Sequence, residues 1–278
     1  MMERTRRNVN RSIIYVFVLF IAAITFFPLF IMAISATHDN FNIVTQINLL
    51  PGNHFFINLE RLTRFMNIPR GLLNSLFIAA STTIVSNYFS LAAGYGFSKF
   101  RFDGHKVLFT IVIIAMMLPG QLGILGFYRL ILRMGLLNSY IPLIIPAIAN
   151  SFAVFFYKQF LDGGLPNEMI ESAIMDGSKE YKTFHRIVIP MAIPAVVTQG
   201  ILVFIGSWNA YLMPLILLND RERMTLPLMI ATVRAQNVAD FGAQYVGMLI
   251  SLIPIIVLFA FTSKIIMEKV SISAAVKG

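Results

Sequence analysis

The sequence contains no cysteine and few charged residues, and each shortage excludes a class of protein. Without cysteine there are no disulfides, thiolate nucleophiles or thiolate metal ligands. Only 13% of the 278 residues are charged and 57% are hydrophobic, whereas soluble domains are about 25% charged. A soluble protein cannot accommodate such an apolar composition, because its surface has to be covered with polar groups. The composition therefore predicts a protein embedded in a membrane.

Other binding chemistries are excluded by what the sequence lacks. The histidines His38, His54, His105 and His185 are scattered, and no two of them are at ligand spacing. The basic residues behind the net charge of +9 separate apolar runs instead of clustering on a nucleic-acid-binding face. No GxxxxGK[ST] phosphate-binding loop is present. We therefore expect this chain itself to bind no metal, cofactor or nucleic acid.

Six apolar segments are long enough to cross a bilayer, which requires about 20 residues. The first of these segments follows an arginine-rich tail, and a secretory signal sequence likewise has a positively charged region before its apolar core. The segment exceeds the roughly 7–15 residues of a signal's apolar core, so we interpret it as an uncleaved anchor. Pro119 and Pro214 fall in the third and fifth segments and predict kinks there. The segments are Ile13–Ala36, Gly71–Phe97, Val107–Leu130, Ile141–Phe160, Met191–Leu218 and Gln244–Ile266.

The lysines predict the orientation of this all-α, six-span protein. They all lie at or beyond segment ends on the side of the N-terminal tail: Lys99, Lys106, Lys158, Lys179, Lys182, Lys264, Lys269 and Lys277. Since basic residues accumulate on the cytoplasmic side, both termini are predicted to be inside. The predicted organisation is a cytoplasmic tail at 1–12, a transmembrane domain at 13–266 that includes a cytoplasmic loop at 161–190, and a cytoplasmic tail at 267–278.

The positions of the Asp and Glu residues indicate whether a proton gradient could drive transport by this protein. None of the 13 Asp and Glu residues lies in a predicted span. Proton-driven transporters and intramembrane acid–base enzymes need an ionisable group at membrane depth. No nucleophile, base and orienting group can be assembled from the loops either. The sequence therefore predicts a protein that is not an enzyme and whose driving force comes from elsewhere.

The loop at 161–190 has the pattern of two short helices. Pro166 suits a first helical turn, and Gly177 suits the turn that ends a helix. Ser178 is expected to cap a second helix at Lys179–Val188, which Pro190 would end at the membrane surface. One face of the first helix is expected to carry Ile170, Ala173 and Ile174.

Eight residues of this loop form a more specific pattern: Glu171, Ser172, Ala173, Asp176, Gly177, Ser178, Ile187 and Pro190. The pattern resembles the EAA loop, E-A-A-x-x-D-G-A followed by I-x-L-P, of permease subunits in binding-protein-dependent ABC importers. Ser172 and Ser178 replace alanines, and Ile189 replaces the leucine. These are exchanges of small for small and apolar for apolar side chains.

Further motifs resemble the carbohydrate branch of that family, of the maltose and multiple-sugar type, and in particular its smaller six-span subunit. They extend from Asn74 toward the C-terminus: Asn74-Ser75, Gly94-Tyr95, Phe102-Asp103-Gly104, Met117-Leu118-Pro119-Gly120-Gln121, Gly135-Leu136, Asn138-Ser139-Tyr140 and Trp208-Asn209.

The resemblance implies a permease of the bacterial plasma membrane, with the eight loop residues forming a coupling helix that docks on an ATPase subunit. ATP-driven closure of the ATPase dimer would switch the spans between inward-open and outward-open states. The implied partners are a second homologous permease, two ATPase subunits that bind the ATP and Mg²⁺, and an extracytoplasmic solute-binding protein. The resemblance also implies an ATPase contact for Val276, Lys277 and Gly278, although chain ends are commonly frayed.

A sugar path is the second candidate site. Phe204, Trp208 and Tyr211 form an aromatic stripe on which a sugar would stack, although such stripes also pack helices. Polar residues at membrane depth either line a wet path or hydrogen-bond between helices. The candidate path also includes Asn209, Gln121 and Asn150.

Three alternatives remain open at this stage: an importer permease for another small polar solute, a stand-alone secondary transporter or channel, and a polytopic membrane enzyme. Sodium coupling through carbonyl groups would leave no mark in the sequence. Activity in liposomes without an ATPase would distinguish the last two from an importer subunit.

Overall fold

The computed structural model describes residues 2–236 and 240–275, with side chains for residue 11 and residues 13–233 and 240–263. This part of the chain is all-helical, 82% helix without strands, as predicted. The helices are α1 (Met2–Ser35), α2 (Asn40–Thr45), α3 (Phe55–Phe65), α4 (Ile68–Lys99), α5 (His105–Met117), α6 (Ile124–Arg133), α7 (Ile141–Ile144), α8 (Ser151–Gly164), α9 (Asn167–Met175), α10 (Glu180–Thr183), α11 (Ile189–Trp208), α12 (Leu212–Leu217), α13 (Leu226–Gln236) and α14 (Phe241–Ala275).

Among the described residues, five helical segments are long and apolar enough to cross a membrane. They are Ile13–Ser35, Ile68–Lys99, Ile141–Gly164, Glu180–Trp208 and Phe241–Ser263. A bent pair, His105–Met117 with Gly120–Arg133, makes a sixth if it is counted as one span. The span Ile141–Gly164 corresponds to the fourth predicted segment and extends past its predicted end at Phe160. Its last turn carries Asp162.

The third predicted segment, Val107–Leu130, is not one continuous helix. Its two helices meet at an angle of 90°. Leu118 and Pro119 are both extended, because a residue before proline is kept out of the helical region and proline itself donates no hydrogen bond. The predicted kink at Pro119 is therefore a complete break.

The fifth predicted segment, Met191–Leu218, differs at both ends. The helical run starts earlier, at Glu180, and ends at Trp208; α12, which carries Pro214, follows separately. The prediction that Pro190 ends the preceding helix is wrong. Residues Phe184–Val188 form a π-helix, with the Ile189 N–H donating to the Phe184 carbonyl. Its wider turn accommodates the proline within the run.

The chain divides into two compact units, of which the first comprises residues 1–68 and 229–253. The predicted short helices between Thr37 and Arg70 are present as α2 and α3. Asn58 of α3 is buried, and its amide donates to the carbonyls of Ala36 and His38 at 3.0 and 2.8 Å. These bonds fix α3 beside the end of α1.

The second unit comprises residues 69–228 and 254–278. Asn87 of α4 donates to the Val196 carbonyl of α11 and accepts from the Tyr157 hydroxyl of α8, which ties three helices together. Gly94 brings α4 against α8, since a Cβ at this position would lie 2.7 Å from the Tyr157 Cβ. The core contains Leu91, Tyr95, Ala153, Tyr157, Leu161, Leu165, Ile170, Phe184, Val188, Ala192 and Ala195.

Candidate functional site

The loop helix α9 has a well-defined end. Gly177 adopts φ +78°, a left-handed conformation that glycine adopts at low cost. The Gly177 N–H donates to the Ile174 carbonyl and the Ser178 N–H to the Ala173 carbonyl, both at 2.9 Å. This is the Schellman pattern, which closes the last turn of a helix. The predicted glycine turn is confirmed.

The loop helix is buried on one face only. Ile170 and Ala173 are buried, and Ile170 belongs to the core of the second unit. Ile174 was expected on the same face but is 51% exposed, because it lies about 100° around the helix from Ala173. The next residue, Met175, is 87% exposed.

The opposite face combines this methionine with carboxylates. Glu171 and Asp176 are exposed, and neither forms an ion pair with another described residue. Ser172 is also exposed, with its hydroxyl donating to the Glu168 carbonyl. A helix that presents exposed apolar side chains, Met175 and Ile174, beside carboxylates without a described ion-pair partner is suited to contact with another protein.

The chain beyond the glycine turn leads directly into α11. Ser178 does not cap the second helix: the cap position is Lys179, which makes no side-chain cap bond. The Ser178 hydroxyl instead accepts from the buried Thr183 hydroxyl at 3.0 Å. Ile187 packs against the core and Pro190 is exposed on the continuing helix. A displacement of the loop helix would therefore reach α11 through the short non-helical segment 176–179 and the helical run that begins at Glu180.

A cavity of about 560 Å³ lies within the second unit. Its walls are mainly apolar, and they include both helix breaks: Gly120 and Gly123 beside the 90° bend, and Ala210 beyond the end of α11. Non-helical backbone at membrane depth is tolerated where it lines a cavity. The other lining residues are Ile78, Thr82, Phe127, Pro142, Leu143, Pro146, Asn150, Val203, Gly206, Ser207, Met213, Pro214 and Thr225.

Of the predicted path residues, Asn150 lines this cavity. Its amide donates to the Ser86 hydroxyl, and its carbonyl oxygen accepts from the Ala153 N–H to cap α8. Trp208 is only 1% exposed and stacks on Phe204, with ring centroids 5.8 Å apart. The lining does not include Phe204, Trp208, Asn209, Tyr211 or Gln121.

Ser207, one of the polar residues at membrane depth for which the sequence leaves open a wet path or a hydrogen bond between helices, lines the cavity, and so do Thr82 and Thr225, which sequence reasoning did not select. The feature that could have identified Ser207 as a lining residue is its position beside the end of α11 at Trp208. The predicted contact residues Val276, Lys277 and Gly278 lie outside the described residues. Within the described part of the chain, no group of three or more His, Asp or Glu residues is placed to hold a metal ion.

Apolar helices of membrane-spanning length, a cavity between interrupted helices and a fixed, outward-facing loop helix define a membrane transport component. A family model matches residues 1–271, and the chain belongs to this family, the binding-protein-dependent transport system inner membrane components. It is thus a membrane-embedded transport subunit and not an enzyme.

Several relatives share most of the chain. The arabinooligosaccharides transport system permease protein AraQ of Bacillus subtilis is 34% identical over 205 residues, 74% of this chain and 72% of that protein. The lactose transport system permease protein LacG of Rhizobium radiobacter is 27% identical, covering 93% and 94% of the two chains. The sn-glycerol-3-phosphate transport system permease protein UgpE of Escherichia coli K12 is 30% identical, covering 85% and 87%.

The fold is also found in a solved structure. A chain of a bacterial ABC transporter involved in the import of the acidic polysaccharide alginate superimposes with a TM-score of 0.79. The match covers 92% of this chain and 96% of that one at 20% sequence identity. This likeness shows that the two chains have the same fold.

Proposed function

We propose that the chain is the six-span permease subunit of an ATP-driven importer that carries a sugar or oligosaccharide across the bacterial plasma membrane. It works with a second homologous permease, two ATPase subunits and an extracytoplasmic binding protein. The observation that carries this proposal is the loop helix α9, held by its apolar face while Glu171, Met175 and Asp176 face outward. Family membership and the names of the relatives support it.

The outward face of α9 is the proposed ATPase contact. Glu171 and Asp176 supply charges without an ion-pair partner among the described residues, and Met175 supplies an adaptable apolar contact. The Schellman turn fixes the direction of the helix, and the run through Pro190 connects it to α11. ATP-driven closure of the partner subunits would thus displace α11 and open or close the cavity on the two sides of the membrane.

Purification of the tagged chain in a mild detergent tests this assignment. We expect an ATPase and a second permease to co-purify, with ATP hydrolysis stimulated by one binding protein. Glu171→Arg should lose the ATPase, because it reverses a charge on the contact face. Asp103→Arg, an equally exposed charge reversal in another loop, is the matched control. A chain that purifies alone, or a Glu171→Arg variant that retains the ATPase, would refute the coupling assignment.

The cavity is the proposed solute path. Its lining combines apolar side chains with Thr82, Asn150, Ser207 and Thr225, and none of its lining residues is charged. An uncharged sugar presents both apolar ring faces and hydroxyls, which suits such walls. The relative that transports sn-glycerol 3-phosphate suggests another small polar solute. The uncharged lining disfavours it, because phosphate is usually bound by cationic side chains or clusters of backbone N–H groups.

Narrowing the cavity should block transport without unfolding the protein. Gly206 lines the cavity, and no atom lies within 4 Å of an added Cβ at this position, so Gly206→Leu would fill open space. Gly126→Leu is the matched control, since Gly126 is equally open but does not line the cavity. Uptake of labelled arabinotriose, lactose and glycerol 3-phosphate is the measurement. Equal uptake by the two variants would place the path elsewhere.

The proposed orientation has both termini in the cytoplasm and counts the bent pair as the third span. It is supported by the lysine distribution. Reporter fusions after Asp162 and after Asp220 should give cytoplasmic and external signals respectively. The same signal at both positions would require a different number of crossings between them.

A further inference from the structure

The end of α4 makes direct polar contact with the start of the loop helix. The Lys99 ammonium donates to the Leu165 carbonyl at 2.5 Å and to the Asn167 side-chain oxygen at 3.0 Å. Leu165 is the residue that caps α8, and Asn167 is the first residue of α9. One side chain of α4 therefore spans the joint between α8 and α9.

The neighbouring residue of α4 binds the other side of this joint. The Ser98 hydroxyl donates to the Asp162 carboxylate at 2.7 Å. Lys158, one turn earlier on α8, pairs with the same carboxylate at 2.5 Å. The bonds from Lys99 to Leu165 and Asn167 thus lie beside the Ser98–Asp162 bond at the same joint. Hydrogen bonds from a charged donor are stronger than neutral ones.

The same end of α4 is also packed against the helices on both sides of the loop. Gly94 allows α4 to approach the backbone of α8 at Tyr157. The Tyr95 ring packs on Phe184 of the π-helix, with centroids 5.8 Å apart. Since α4 already contacts α8 and the π-helix, the Lys99 contact adds the remaining element, the start of α9, to one block.

We propose that Lys99 is a positioning residue that holds the start of the loop helix against the end of α4, so that α4 moves together with the loop helix when the ATPase subunits close. This inference rests on the coupling function proposed above and adds a second helix, α4, to the route through α11. The described hydrogen bonds between the end of α4 and the start of the loop helix come from one charged side chain, whereas α11 is connected to the loop helix by the chain itself.

Lys158 provides a matched control for Lys99. Both are partly buried lysines at this end of the helices, but Lys158 pairs with Asp162 within α8 and lies over the Phe109 ring of α5, 4.9 Å from its centroid, and its described contacts do not reach α9. Lys99→Met and Lys158→Met remove the same charge and keep a similar side-chain length. A difference between the two variants therefore reports the contact with Leu165 and Asn167 rather than a lost positive charge.

Spin labels at introduced cysteines test the proposal directly, and the absence of native cysteine in this chain makes its labels specific. We would label Arg101→Cys and Met169→Cys, both exposed, in the complete transporter with cysteine-free partner subunits. The distance distribution between the labels should be narrow with and without ATP in the wild type and in Lys158→Met. In Lys99→Met it should broaden, and Lys99→Arg should restore it.

The functional readout is uptake of the best-transported of the three probe solutes per ATP hydrolysed. We expect an about tenfold loss in Lys99→Met, the size expected when hydrogen bonds from a charged donor are removed, with the ATPase still co-purifying. A narrow distribution and unchanged uptake in Lys99→Met would overturn the positioning role alone. If Glu171→Arg also left coupling intact, the proposed function would fail as well, so the two failures are distinguishable.

Discussion

Replacing Gly177 by valine is expected to reduce uptake about tenfold or more while leaving the protein inserted and folded. The left-handed conformation at this position costs an L-residue about 1–2 kcal/mol, and a β-branched residue is a marked outlier there. The substitution would meet no steric obstacle, since no atom lies within 4 Å of an added Cβ. The strain would therefore be relieved by rearranging the turn, which breaks the bonds to Ala173 and Ile174.

Asparagine is the control at this position, because it tolerates the left-handed conformation better than other non-glycine residues. We expect Gly177→Val to lose uptake about tenfold or more, corresponding to at least 1.4 kcal/mol, and Gly177→Asn to stay close to the wild type. The measurements are uptake and solute-stimulated ATP hydrolysis in liposomes. Normal coupling in Gly177→Val would show that the direction of the loop helix is unimportant.

The largest loss of stability is expected for Gly94→Val. An added Cβ would lie 2.7 Å from the Tyr157 Cβ and 3.0 Å from the Lys158 backbone nitrogen. Because one of these atoms is backbone, the clash cannot be relieved by a side-chain rotation. The helices α4 and α8 would have to separate, at a cost of about 3 kcal/mol.

Gly96→Val is the matched control, in the same helix and with no atom within 4 Å of an added Cβ. Both variants place a β-branched residue in α4, so they share the same change in helix propensity. Thermal unfolding in detergent, followed by the fraction of protein that remains monodisperse, should show a lower midpoint for Gly94→Val alone. Equal midpoints would mean that α4 and α8 separate without cost.

The sequence predicts those features that depend on local chemistry. Apolar length located the membrane-spanning helices, and the turn at Gly177 followed from the preference of glycine for a positive φ. The loop pattern led to the family that the comparisons show. These signals are local because each depends on residues within one helix or one turn.

The predictions that were wrong concern where a helix breaks or ends and which of its residues are buried, because these depend on backbone geometry and on packing between helices. Pro119 breaks the third segment completely, but Pro190 does not end its helix, because a π-helix precedes it. Proline alone does not indicate which of these will occur. Ile174 was assigned to the buried face by spacing alone, although the extent of that face depends on what α9 packs against.

The cavity was the feature least accessible to sequence reasoning. Trp208 was selected because aromatic residues stack on sugars, but its ring is buried against Phe204. The cavity lies instead beside the backbone breaks, where Gly120 and Ala210 contribute no large side chain. Small residues at a helix break give a weak sequence signal, because their contribution is the space that they leave open.

The π-helix at Phe184–Val188 determines the rotational phase of α11. One extra residue in a helical turn rotates everything after it by about 100° relative to an uninterrupted α-helix. Deletion of one residue from this segment would restore α-helical geometry and turn the buried side chains of Gln199, Phe204 and Trp208 away from their neighbours. The number of residues between the loop helix and the cavity therefore cannot change by even one without misplacing the buried side chains of α11.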